Sequence, residues 1–327
     1  MTVTAETPST HNLPRWALVA FGVLMVVVVL APAAFVLATR KSPVVTDDQR
    51  LRAGRLPTDV AVEGATVWVV SGRDNRVVAL DARDVTQSAT TRATGSSPLR
   101  LAIGAGSVWT ANAGDNSVTR LDPLLPGSGR RIAIGTDAVD VAVSSEGVWV
   151  TNGLAGTVTR IDPISNRVMG PAVRTGNFPA ALTIGAGFVW VVNAGDGTLA
   201  RVDPRENIVL GRRLPVGRDP QDVAVGHGSV WVANRGDGTV TRLSSRTGRP
   251  QGSPLRVGGA PGALAITREG VLVLDTRSGA VSVIDARTQA LRHLATVEGF
   301  PTSIAVGAGS AWVVDARSGT ITKLRSR

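Results

Sequence analysis

Four charged side chains recur at one position of a repeated segment, and that recurrence is the chain's clearest chemical signal. Asp59, Arg100, Asp140 and Asp222 each open a short run (DVAV, RLAI, DVAV, DVAV), and Ala181, Ala263 and Ser303 open the matching runs ALTI, ALAI and SIAV. Three carboxylates gathered at one mouth could hold a cationic or polar ligand, or a weakly bound metal ion. The same residues could instead form an ion-pair arc, because Arg100 falls between Asp59 and Asp140 and can neutralise both. Further charges stand in nearby turns: Asp74, Asp115, Asp196, Arg235, Asp237, Arg277 and Arg317. Phe178 and Phe300 precede the fourth and seventh runs, where a large aromatic is out of pattern. Each reads either as a platform for a ligand or as a cap on local packing.

Other chemistries find little support. The chain has no Cys, which excludes disulfides and thiolate metal sites. Outside the N-terminal region it has two histidines, His227 and His293. A histidine tuned for acid–base work needs a partner and a pocket, and His227 falls in a turn expected on the face opposite the Asp positions. Nothing resembles a Ser–His–Asp set, a phosphate loop, an EF-hand or a zinc site. No cofactor and no metal are expected. Arg235-Gly236-Asp237 spells an adhesion tripeptide, but the equivalent turn at Ala194-Gly195-Asp196 lacks the Arg, so it reads as a turn.

The elements that position these residues form a repeat. SVWVANRGDGTVTRLSS, from Ser229, has counterparts starting at Thr66, Ser107, Gly147, Phe188, Gly270 and Ser310. Seven copies thus follow one another without a gap. In each, an apolar run leads to a turn such as Asp-Gly and a second β-rich run leads out, which is a strong hairpin signal. Before the hairpin lies the short run already described, whose third residue is Ala or Thr in every copy; small side chains suit a strand where sheets converge. After it comes a more polar segment, such as RVMGPAVRTG from Arg167 or IVLGRRLPVG from Ile208.

Four-stranded units at a period of about 40–45 residues indicate propeller blades. The fold class expected is therefore all-β, a seven-bladed β-propeller. Trp68, Trp109, Trp149, Trp190, Trp231 and Trp312 recur in the second strand, with Leu272 in the sixth copy. Each Trp can bury on the order of 200 Å² between blades. The last copy stops after its third strand, and Arg50 to Gly54 occupy the slot of a fourth strand ahead of the first copy. The N-terminal strand should complete the seventh blade and remove the open edge.

The blade W-V-x-N…G-D-G-T-V-T-R-L-D-P resembles those of the bacterial YVTN/NHL-like propellers, which include streptogramin lyases, over residues 50–327. The resemblance implies a seven-bladed ring. In the lyases it implies His and Glu residues near a metal on one propeller face. This chain reproduces no such set, and its blades read W-V-x-N rather than W-F-T-E.

Ahead of the repeats, Trp16 to Ala38 is a run of 23 residues without a charge. As a helix it would span roughly 35 Å, enough for a hydrocarbon core of about 30 Å. It is longer than the h-region of a signal peptide, although Val36-Leu37-Ala38 resembles a cleavage site. The organisation expected is a tail (1–15), a transmembrane anchor (16–38), a linker (39–49) and the propeller (50–327). Nearby Lys and Arg favour a cytoplasmic propeller, whereas a short tail, one helix and a large β domain is the usual order for export. We expect a single-pass membrane protein with an extracytoplasmic propeller. The formal charge of +10 suits anionic surroundings or a solvated surface, and nucleic acid is not the expected partner. The function expected is binding of a protein, peptide or cell-envelope polymer through the loop-rich face at Asp59, Arg100, Asp140, Phe178, Asp222 and Phe300. The alternative is a lyase or hydrolase using a metal near the Asp cluster.

Overall fold

The computed structural model describes residues 49–84, 90–125, 127 and 129–325. The expected tail and anchor, and all of the linker but Gln49, lie outside the described residues. Among the described residues the strands form seven antiparallel sheets, the blades of a β-propeller. Blade 1 runs through Pro57–Glu63, Thr66–Ser71, Arg76–Asp81 and Thr90–Ala93. Blades 2 to 6 repeat that order. Blade 7 takes Pro301–Gly307, Ser310–Asp315 and Thr320–Arg325 from the end of the chain and Gln49–Arg52 from its start. The register is Gln49 with Lys323 through Arg52 with Thr320, and the Ala53 amide continues it to the Gly319 carbonyl at 2.8 Å. The ring is thus closed by hydrogen bonds between residues far apart in sequence.

The hairpins follow from their turn residues. Asn75 and Asn116 in blades 1 and 2, and Gly156, Gly197, Gly238, Gly279 and Gly319 in the others, take φ between 54° and 75°. Gly and Asn adopt this left-handed region most readily. The fourth strand is less regular than the sequence suggests. In blades 3 and 4 it is two short pieces, Arg167–Val168 with Val173–Arg174 and Ile208–Val209 with Leu214–Pro215, both paired to the third strand. Gly170 and Gly211, at φ 64° and 69°, turn the chain out of the ladder between them, and Pro171 has no amide to donate there.

Among the described residues, the core is divided among several clusters. Apolar side chains cluster between neighbouring blades: Trp109 and Ala111 of blade 2 with Val141, Val148 and Ile161 of blade 3, and Trp190 and Leu199 of blade 4 with Val223, Val230 and Leu243 of blade 5. Trp312 and Ile321 of blade 7 meet Val60, Val67 and Leu80 of blade 1. In blade 4 the approach at the inner strand's end is close enough to require Gly. A Cβ on Gly185 would lie 2.6 Å from Val225 of the next blade.

A cation covers each Trp of the blades. Arg120, Arg160, Arg201, Arg242 and Lys323 face their Trp across the second and third strands and sit 4.8–5.9 Å from the ring centres. Most of these cations also reach the next blade. Arg120 donates to the Pro163 carbonyl at 2.6 Å and Lys323 to the Ala82 carbonyl at 2.7 Å. Arg160 and Arg201 reach the carbonyls of Arg205 and Arg246 at 3.4 Å. Blade 1 has Ala79 opposite Trp68, and Arg92 of the fourth strand substitutes, 4.9 Å over the ring and bonded to the Asp122 and Pro123 carbonyls. In blade 6 both partners are gone, with Leu272 facing Val283.

Deleting residues 50–54 should lower stability by about 3 kcal/mol or more, because Leu51 and Ala53 leave the blade 7–blade 1 cluster and an edge opens. Urea unfolding of the full chain checks this, and an unchanged midpoint would count against closure by this strand.

Candidate functional site at the channel mouth

Each inner strand begins with a register shift against its hairpin partner, for example between Pro57 and Asp59 and between Pro220 and Asp222. A bulge of this kind re-aims a side chain. Asp59, Arg100, Asp140, Asp222 and Ser303 line a central cavity of about 340 Å³ at the level of Leu101, Leu182 and Leu264, with the small Ala102, Ala142 and Thr183 further along it. Four of the six residues expected at the site therefore meet in one place. Phe178 and Phe300 lie on the same face, before the inner strands of blades 4 and 7, but do not line the cavity.

The carboxylates clamp blades together. Asp59 Oδ2 accepts the Leu101 amide at 2.9 Å, Asp140 Oδ2 accepts that of Leu182 at 2.8 Å, and Asp222 Oδ2 accepts that of Leu264 at 2.7 Å. Blades 1, 3 and 5 are thereby tied to blades 2, 4 and 6. The second oxygens of Asp140 and Asp222 accept the adjacent amides of Val141 and Val223, both at 2.8 Å. Asp59 Oδ1 instead accepts the Ser303 hydroxyl at 2.6 Å and the Arg100 guanidinium at 3.4 Å. Blade 7 is thus joined to blade 1.

The expected pairing of Arg100 with Asp59 is present, and the field around it is shared. Burial opposes the charge on Arg100, but Asp59, Asp140 and Asp222 outweigh it and hold its pKa above the usual range. Burial pushes the Asp140 carboxyl up to about 7, with Asp59 and Asp222 adding repulsion against the attraction of Arg100 and the Leu182 amide. Asp222 rises to about 6, again chiefly through burial. The mouth therefore gains negative charge as the pH passes through neutrality.

The turn charges serve their own blades. Burial of Asp74 is outweighed by the Arg55 amide, the Ser71 hydroxyl and the Arg55 guanidinium, which bring its pKa to about 2. Asp115 accepts the Ser96 amide and the Ser117 hydroxyl, and Asp196 accepts the Asn177 amide and the Thr198 hydroxyl. Within the Arg-Gly-Asp tripeptide, Arg235 pairs with Asp219 at 2.7 Å and Asp237 with Arg218 at 2.6 Å. That confirms a turn built from two local ion pairs.

Phe178 is 45% exposed at φ 50°, a strained setting for a bulky residue. Its ring edge lies against the blade 3 hairpin, where a Cβ on Gly153 would be 3.3 Å away. Leu154, 80% exposed, follows in that hairpin. Phe300 is 49% exposed, with the Arg317 guanidinium 3.8 Å over its ring. His227 Nε2 sits 2.9 Å from the Thr267 carbonyl and His293 Nε2 3.3 Å from Thr296; neither lines the cavity. Among the described residues, no three His, Cys, Asp or Glu side chains converge to hold a metal ion.

The sequence matches no protein-family model and no curated protein at a significant level. Among solved structures, the chain resembles virginiamycin B lyase from Staphylococcus aureus, with a TM-score of 0.76 and 13% identity over 86% of this chain and 100% of that one. A streptogramin B lyase gives 0.74 and 15% identity, covering 85% of this chain and 97% of the other. Hydrazine synthase of Kuenenia stuttgartiensis gives 0.72 and 16%, covering 88% and 98%. These likenesses establish the seven-bladed fold.

The raised carboxylates make a pH prediction. Their folded pKa values exceed the unfolded value near 3.8, so their contribution to stability is full below about pH 4 and is lost as the pH rises through 6 to 7. The melting temperature should fall between pH 5 and pH 8. The Asp140→Asn/Asp222→Asn variant should flatten that slope, and an equally steep slope in the variant would contradict the assignment.

Proposed function

We propose that this protein is a membrane-anchored binding module, non-catalytic, which engages a partner through the channel-mouth face. The observation that carries the proposal is the cavity of about 340 Å³ lined by three carboxylates around one arginine, a size within the usual range for small-molecule pockets. With all four groups ionised the lining is net negative. A cationic group, such as an amine of a peptide or a cell-envelope polymer, fits it best. Arg100 limits the excess charge and orients an acceptor on the same ligand. Phe178 and Leu154 offer apolar contact beside the mouth for the remainder of the partner.

The enzymatic alternative, a lyase or hydrolase acting at the same face, has the fold likeness to the lyases in its favour, and fold alone does not carry activity. The raised Asp140 and Asp222 are the groups such a reaction would use. Neither has a His beside it in the cavity, so binding is the reading preferred.

A diamine such as putrescine tests the site directly. Binding to the native state raises the melting temperature with concentration. The shift should be larger at pH 8 than at pH 5.5, where protons compete, and should disappear in Asp140→Asn/Asp222→Asn. Equal shifts in parent and variant would remove the channel mouth as the site.

A further inference from the structure

The opposite face of the ring carries a second surface. The third strand of blade 7 leaves its hairpin at Thr320 and ends on the far side, and Gln49 pairs with Lys323 while Arg52 pairs with Thr320. The chain therefore approaches blade 7 from the face opposite the channel mouth. On that same far face, the turns between third and fourth strands of blades 2 and 3 present Leu124, 85% exposed, and Ile164, 88% exposed. Leu125 lies beside the first, and Val168, Met169 and Ile208 add exposed apolar surface where the fourth strands of blades 3 and 4 begin. Blades 3 and 4 stand across the ring from blade 7.

The turns themselves do not explain these side chains. The Leu124 and Ile164 amides donate to Asp122 and Asp162, both at 2.7 Å. The equivalent turns of blades 4 and 6 make the same contact through Arg205 and Arg287. The turn thus works equally well with a charged residue, and an apolar side chain there is exposed without a local structural role. Large apolar side chains at a loop tip, on the face from which Gln49–Arg52 enters blade 7, a strand that follows a 23-residue apolar run in the sequence, are placed to enter a bilayer interface.

We propose that the far face docks on a lipid bilayer through Leu124 and Ile164, so that the propeller rests with its channel mouth directed away from the membrane. This rests on the anchoring reading above. The blade 3 turn holds one acid and one base, Asp162 and Arg167, and the blade 4 turn sets Arg205 beside Glu206, so apolar insertion rather than lipid charge drives the contact. Phosphatidylcholine is therefore a sufficient partner.

The absence of Cys makes the test direct. Single variants Leu124→Cys, Ile164→Cys and, on the mouth face, Leu154→Cys are made in the full chain and labelled with an environment-sensitive fluorophore. The protein is reconstituted with phosphatidylcholine vesicles containing a fraction of nitroxide-labelled lipid. Flotation reports anchoring, and quenching reports docking. The proposal expects the chain to float, with labels at 124 and 164 blue-shifted and quenched at least twofold more than the label at 154. A floating chain whose three labels are quenched alike overturns docking and leaves the anchor standing. A chain that stays in the aqueous fraction overturns both.

Discussion

Contact between neighbouring blades is the constraint on which the whole molecule depends. A single four-stranded sheet has two apolar faces and cannot cover either alone. In blades 1 to 5 and 7 the second strand places a Trp at the interface, a cation from the third strand (in blade 1, Arg92 of the fourth) lies over it, and most of those cations bond a carbonyl of the following blade. A guanidinium held between an aromatic ring and a carbonyl keeps its stem in the core and its donors satisfied. Blade 6 supports the pairing by its exception, since Leu272 and Val283 replace Trp and cation together. The arginine content, which composition alone suggests is incidental, has a structural use at these positions.

A second ring of contacts lies inside the first. Asp59, Asp140 and Asp222 reach from odd blades to amides of the even blades that follow, and Ser303 joins the last blade to Asp59. The same carboxylates form the lumen wall, so their clamp and ligand roles compete. Burial and two like charges disfavour ionised Asp140, while Arg100 and the Leu182 amide favour it. The balance falls close to neutral pH. A cation entering the mouth would shift it toward the ionised state.

Much of this was legible in the sequence, and the limits have physical causes. The period, the Trp series and the missing fourth strand of the last copy revealed blades, interfaces and closure, because all three are local patterns repeated seven times. The four charged candidates stood out because they share one repeat position, and the structure brings them to one cavity. Phe178 and Phe300 were found only as departures from the pattern; they share the face but not the cavity. The cations over the Trp rings were missed, although Arg120, Arg160, Arg201 and Arg242 recur in the TVTR-type run, because the partners of the first three are carbonyls 43 to 45 residues away. Carbonyls have no sequence signature. The broken fourth strands escaped for a related reason, since Gly170 and Gly211 interrupt segments that also read as ordinary polar edge strands.

The two faces divide the labour proposed for the molecule, with the mouth open to a partner and the far turns toward lipid, and rigid blade-to-blade contact holds both in place. Arg120 tests that contact most directly: it lies over Trp109, bonds Ser107, and reaches Pro163 and Asn166 of the next blade. The measurement is urea unfolding of Arg120→Met, which keeps the stem and removes the charge, against Arg205→Met, whose side chain is exposed. Loss of a charged hydrogen-bond network and a cation–π contact should cost about 2–3 kcal/mol, with Arg205→Met unchanged. Equal midpoints for the two variants would contradict the account.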